Sequence, residues 1–144
     1  MKKIILSMAL VIGLSACNLN IFAPRVDPSI AKDLDKSVQS LVEISACIEL
    51  GGCDGKSNFS KAEKTYVTAL SSAQNAKLKA EQVNSDNKNA QEAAELFQAE
   101  VAECETSIKR MHDAHKQFPS LQGAGLVQPT IITCSLARDA AKAL

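Results

Sequence analysis

Four stretches of this chain repeat apolar residues at intervals of three and four, the spacing that gathers side chains on one face of an α-helix. The first holds Ile30, Leu34, Leu41, Ile44 and Ile48, and Val38 and Val42 widen its stripe. Asp27-Pro28 stands before it, an N-cap followed by proline at the first helical position, and Gly51-Gly52 ends it. The second holds Phe59, Ala62, Tyr66, Ala69, Ala73, Ala76, Ala80 and Val83, whose steps alternate three and four as in a heptad seam. Ser60-Lys61-Ala62-Glu63 fits a capping box and predicts a start near Ser60. The third holds Ala90, Ala94, Phe97, Val101, Cys104, Ile108, Met111 and His115, and ends before Phe118-Pro119. Residues 119–128 hold Gly123 and Gly125 and read as a loop. Pro129 then opens a fourth helix through Leu144, expected to bury Ile132, Leu136 and Ala140 on one side.

The seams also predict how these helices meet. Most seam positions of the second helix are alanine, so each buries little area, and the seam works only if a neighbour comes near the lower end of the usual 8–10 Å packing range. Its heptad phase runs unbroken from Val83 through Asn87 to Ala90, which permits one helix over 59–115 of roughly 85 Å. Against that stands the polar run Asn84 to Asn89, whose asparagine, serine and aspartate side chains compete for backbone hydrogen bonds and favour a turn. The expected fold is all-α: a small, disulfide-stapled bundle of about four helices, with the second and third forming an Ala-rich antiparallel hairpin.

The chain opens differently. Lys2 and Lys3 precede an apolar run from Ile4 to Leu14, broken only by Ser7 and Gly13, and too short to span a bilayer. It closes in Leu14-Ser15-Ala16-Cys17, which resembles the lipobox of bacterial lipoproteins: a branched apolar residue, two small residues, then cysteine. The resemblance implies cleavage before Cys17, a diacylglyceryl thioether on its sulfur and acylation of the new amine. Two or more acyl chains hold a protein firmly where one does not. Asn18 follows the cysteine rather than aspartate, which in enteric-type lipoproteins implies the outer membrane, with the domain facing the periplasm. On this reading residues 1–16 are a signal peptide, 17–26 the lipidated N-terminus and a tether, and 27–144 the helical domain. The nine tether residues after Cys17 reach at most about 30 Å.

Charge and cysteine usage narrow the function classes. The chain balances 16 basic against 16 acidic residues, and losing Lys2 and Lys3 with the leader leaves 14 against 16. With no basic block, one Tyr and four Phe, it lacks the clustered cations and stacking aromatics of a nucleic-acid surface. Cys47, Cys53, Cys104 and Cys134 remain after Cys17, an even number that reads as two disulfides in an exported chain. Three pairings are open, and Cys47–Cys53 with Cys104–Cys134 joins neighbours along the chain. No C-x-x-C pair points to zinc, and no C-x-x-C-H to haem.

Candidate chemistry centres on Met111-His112-Asp113-Ala114-His115, where His112 and His115 lie three apart. A di-metal bundle adds Glu-x-x-His on two helices, but Lys109 stands three before His112, so the pair is a weak metal candidate. No G-x-S-x-G is present, and Glu92, Glu95, Glu100, Glu103 and Glu105 fall mostly off the seam, as on a solvated face. Neither a catalytic residue nor a cofactor is expected. The terminus Ala141-Lys142-Ala143-Leu144 lacks the C-terminal lysine by which the major outer-membrane lipoprotein joins peptidoglycan. Recognition of a protein remains, with Phe118, Leu121, Leu126 and Val127 as candidate contacts. In size, anchoring and helical content the chain resembles the helical pilotin lipoproteins, which escort secretin subunits. The expected role is a pilotin-like chaperone or assembly factor for an envelope complex. The alternative is an immunity or inhibitor protein that blocks an envelope-targeting toxin enzyme through a loop such as 119–128.

Overall fold

The computed structural model of the chain describes residues 24–53, 56–118, 125 and 127–144, with backbone alone at 56 and 57. Four helices account for nearly all of them: α1 (Pro28–Glu49), α2 (Lys56–Ala80), α3 (Lys88–Gln117) and α4 (Gln128–Ala143). Each packs antiparallel on the next, and α4 closes the ring against α1, giving an up-down-up-down bundle. Among the described residues no helix is long and apolar enough to cross a membrane.

The helix ends follow local chemistry. Asp27 caps α1 by accepting the backbone N–H of Ser29 at 2.8 Å. That bond lowers the Asp27 carboxyl below its ordinary range. At the other end Gly51 takes φ 70°, the left-handed conformation that lets the N–H groups of Gly51 and Gly52 turn back onto the carbonyls of Ile48 and Cys47. The polar run does form a turn. Asn87 caps α3, its Oδ1 accepting from the N–H groups of Asn89 and Ala90, while the Gln91 side chain accepts the N–H of Ser85. The continuous helix over 59–115 is thereby excluded, and α2 and α3 form the Ala-rich hairpin.

The α2 seam is buried from Ala62 to Val83, with Phe59 partly covered, and the α3 seam from Ala90 to His115. Small residues face the alanines. Ser37 and Ser40 of α1 are buried, and Ser37 Oγ donates to the Ala69 carbonyl at 2.9 Å, a contact possible only where two backbones run close. The bulk of the core comes from Ile30, Leu34, Leu41 and Ile44 on α1 and from Phe97, Val101 and Ile108 on α3. Both cysteine bridges are those that join chain neighbours, Cys47–Cys53 and Cys104–Cys134.

Four expectations need correction. The second helix starts at Lys56, so Ser60 lies inside α2 rather than at its start. The earlier start carries Phe59 on the helix, where it meets Tyr66, His112 and His115, and tertiary packing overrides the capping preference. Val42 is half exposed rather than part of the stripe, because the α1 core face is already filled from Ile30 to Ile44. Glu105 is buried rather than solvated, paired with Lys77 and Lys109. On α4 the buried residues are Thr130, Cys134, Ala137 and Ala141, while Ile132 and Leu136 are 52% and 62% exposed. The cause is the Cys104–Cys134 bridge. Ile132 and Leu136 stand two residues either side of Cys134, about 200° round the helix, so turning the cysteine inward turns both outward. Ala140 packs only partly against the core.

Candidate functional site

The bundle has two unlike ends. Residues Pro24 to Asp27 lead into α1 at one end, where Pro24 is buried and Val26 packs against the core. α1 has 22 residues, about 33 Å of helix, and its far end carries the Cys47–Cys53 bridge beside the N-terminus of α2 and the C-terminus of α3. Phe59, Tyr66 and both histidines collect at this far end. Phe59 lies 6.2 Å from Tyr66 and 5.0 Å from His115, and Tyr66 meets His112 edge-on at 5.1 Å, all measured between ring centroids. These are separations at which aromatic rings attract one another.

His115 is only 3% exposed and is fixed through both ring nitrogens. Nε2 lies 3.1 Å from the Cys53 carbonyl, which can only accept, so Nε2 carries a proton. In the neutral ring Nδ1 then accepts from the Tyr66 hydroxyl at 2.9 Å. Burial pushes the Tyr66 hydroxyl well above its ordinary pKa of 10.0, which keeps it protonated and donating. The chain Tyr66–His115–Cys53 ties α2 and α3 to the disulfide loop. His115 is therefore a structural crosspiece, and it does not face one ion together with His112. Among the described residues no group of three or more His, Cys, Asp or Glu could hold a metal ion.

His112 has a different setting. It is partly exposed, and its Nδ1 lies 3.0 Å from Asp113 Oδ1, so the carboxylate holds the proton on Nδ1. The ring borders a cleft of about 430 Å³ between α2 and α3. Tyr66, Val67, Leu70 and Ile108 form its apolar floor, and Glu63, Lys109 and Asp113 stand on its rim. Val67 is 62% exposed in this cleft. Beside it, Glu105 accepts from Lys109 and lies 3.1 Å from Lys77 and 3.4 Å from Gln74. The hydrogen bond from Lys109 is the main cause that holds the Glu105 carboxyl below its ordinary 4.5, against the opposing effect of burial. A second cleft of about 320 Å³ between α1 and α2 is bordered by Lys36, Glu43, Lys64 and Thr68 and has no comparable apolar floor.

The candidate contact residues are scattered. Phe118 is 54% exposed at the end of α3, but Val127 is buried at the start of α4 and presents no surface. It closes the core there, which is what an apolar residue preceding a helix does when the helix packs inward. Leu121, Leu126 and the lipidation candidate Cys17 lie outside the described residues. The cleft residues Val67 and Leu70 were not singled out from the sequence, and Glu63 and Lys109 were read there in other roles, as a capping-box member and as a break in a metal pattern. A signal was present: Val67 and Leu70 each follow a seam position by one residue, apolar side chains that the seam does not require.

Comparisons with family models, curated proteins and solved structures gave no match to this chain.

Proposed function

We propose that this chain is a lipid-anchored, non-catalytic protein-binding module of the bacterial envelope, held at the outer membrane through Cys17 and acting as a pilotin-like chaperone or assembly factor. The observation that carries the binding role is the α2–α3 cleft, an apolar floor with Val67 exposed at the end of the bundle remote from where the chain enters α1. An anchor at the entry end sets that cleft on the part of the bundle farther from the anchor. Exposed apolar surface with a polar rim is the usual make-up of a protein-binding groove. The lipobox pattern of residues 14–17 supports the anchor, and two disulfides suit an oxidising compartment. The polar groups best placed for chemistry have structural work: His115 holds Tyr66 to Cys53, and Glu105 holds two lysines.

The test has two arms, both in cells that make the full chain. Feeding an alkyne fatty acid should label the wild type and leave Cys17→Ser unlabelled and released from the membrane fraction. A photo-crosslinking residue at Val67 should give one discrete adduct with an envelope protein, and the same residue at exposed Gln39 should give none. An unlabelled wild type removes the anchor, and equal adduct patterns at 67 and 39 remove the binding role.

A further inference from the structure

The cleft between α2 and α3 carries a charge pattern that says more about its occupant. Four acidic or basic groups stand close to it: Glu63, Asp113, Lys109 and, just behind, Glu105. The lysine is not available to the two rim carboxylates. Lys109 is bonded to Glu105, and Lys77 approaches the same carboxylate at 3.1 Å, so Glu105 is matched by two cations. Asp113 has only the Nδ1 of His112, and Glu63 has no lysine or arginine within ion-pair distance among the described residues. Among the described residues, then, Glu63 without a lysine or arginine partner and Asp113 with His112 alone flank an apolar floor that ends at the rings of Tyr66 and His112.

We infer that the cleft receives a lysine or arginine side chain projecting from the protein partner, a reading that rests on the binding role proposed above. Such a side chain has the two parts the cleft provides for. Its methylene stem covers Val67 and Leu70, as long basic side chains do when they lie along apolar surface with the charged head in water. Its head sits between Glu63 and Asp113, where a cation is attracted by both carboxylates. A purely apolar side chain would leave Glu63 unmatched and Asp113 with His112 alone, and an acidic one would meet both with like charge.

The probe is n-butylguanidinium, a free equivalent of the arginine head and stem, titrated into the full chain in detergent and followed by methyl and imidazole NMR. A ligand this small is expected to bind with Kd of about 1–10 mM. The expected result is saturable shifts at Val67, Leu70 and His112, with n-butylammonium giving the same pattern and neutral 1-pentanol or pentanoate binding at least about fivefold more weakly. Glu63→Gln with Asp113→Asn should weaken the guanidinium about tenfold, and the control Glu43→Gln, on the other cleft, should leave it unchanged. Circular dichroism of each variant reports that the bundle is intact. Equal binding of the neutral or anionic probe, absence of saturable shifts at these residues, or indifference to the double substitution would each overturn the inference. None of those results touches the Val67 crosslink: an adduct there with a failed titration leaves the binding role standing with a different occupant, and a missing adduct removes the role itself.

Discussion

Replacing Tyr66 by phenylalanine removes one oxygen and tests the crosspiece at the far end of the bundle. The hydroxyl donates to His115 Nδ1 at 2.9 Å, and the His115 Nε2–H is already committed to the Cys53 carbonyl. Tyr66→Phe therefore leaves a buried acceptor without its donor, in a ring only 3% exposed. Leaving a buried polar group unmade costs about 1–3 kcal/mol, so the variant should lose about 2 kcal/mol. With a urea m-value of about 1.5 kcal/mol per molar, the midpoint should fall by about 1.3 M with both disulfides intact, read by circular dichroism. The substitution should also change the alkaline limb. The folded Tyr66 pKa is raised above 10.0, so its contribution is complete below pH 10 and is lost as pH climbs past it. The wild type should therefore lose stability above pH 10 more steeply than Tyr66→Phe, the chain having no other tyrosine. Pairing Tyr66→Phe with His115→Leu should cost about 1 kcal/mol less than the sum of the single changes, since the orphaned nitrogen goes with the histidine. A midpoint shift below about 0.3 M, with strictly additive single changes, would refute the reasoning.

Three further predictions concern the rest of the bundle. Glu105 has a lowered folded pKa, so its contribution is present above pH 4.5 and lost as pH falls below; Glu105→Gln should cost about 1 kcal/mol at pH 7, and the gap should close in acid. Replacing Cys104 and Cys134 together by alanine should cost about 4 kcal/mol in denaturant unfolding, against about 2 for Cys47 and Cys53, because the loops closed span 30 and 6 residues. On α4, Leu136→Ser should change stability by less than about 0.5 kcal/mol, while Ala137→Leu should cost about 1–3 by overpacking a fully buried site. Thermal unfolding that ranked those two in the opposite order would restore the face read from hydropathy.

The four helices and the hairpin were legible in the chain because their determinants are local or periodic. Asp27-Pro28, Gly51 and Asn87 satisfy backbone groups a few residues away, and the α2 and α3 seams repeat so regularly that nearly every member is buried as their spacing predicts. Of the three disulfide pairings open in the sequence, the structure takes the one that joins neighbours along the chain. What only the tertiary structure decided was how each helix is turned and what lies across from it. On α4 hydropathy favoured Ile132 and Leu136, but a covalent bridge to α3 outweighs the burial of two aliphatic side chains and fixes the rotation through Cys134. The α2 start moved to Lys56 because Phe59 has ring partners 53 and 56 residues away, His112 and His115. The cleft was illegible for the same reason. Glu63 and Asp113 become neighbours, and Lys77 reaches Glu105, only when α2 and α3 are laid side by side, since charge pairing across helices depends on register and sequence spacing reports only the pairing within one helix.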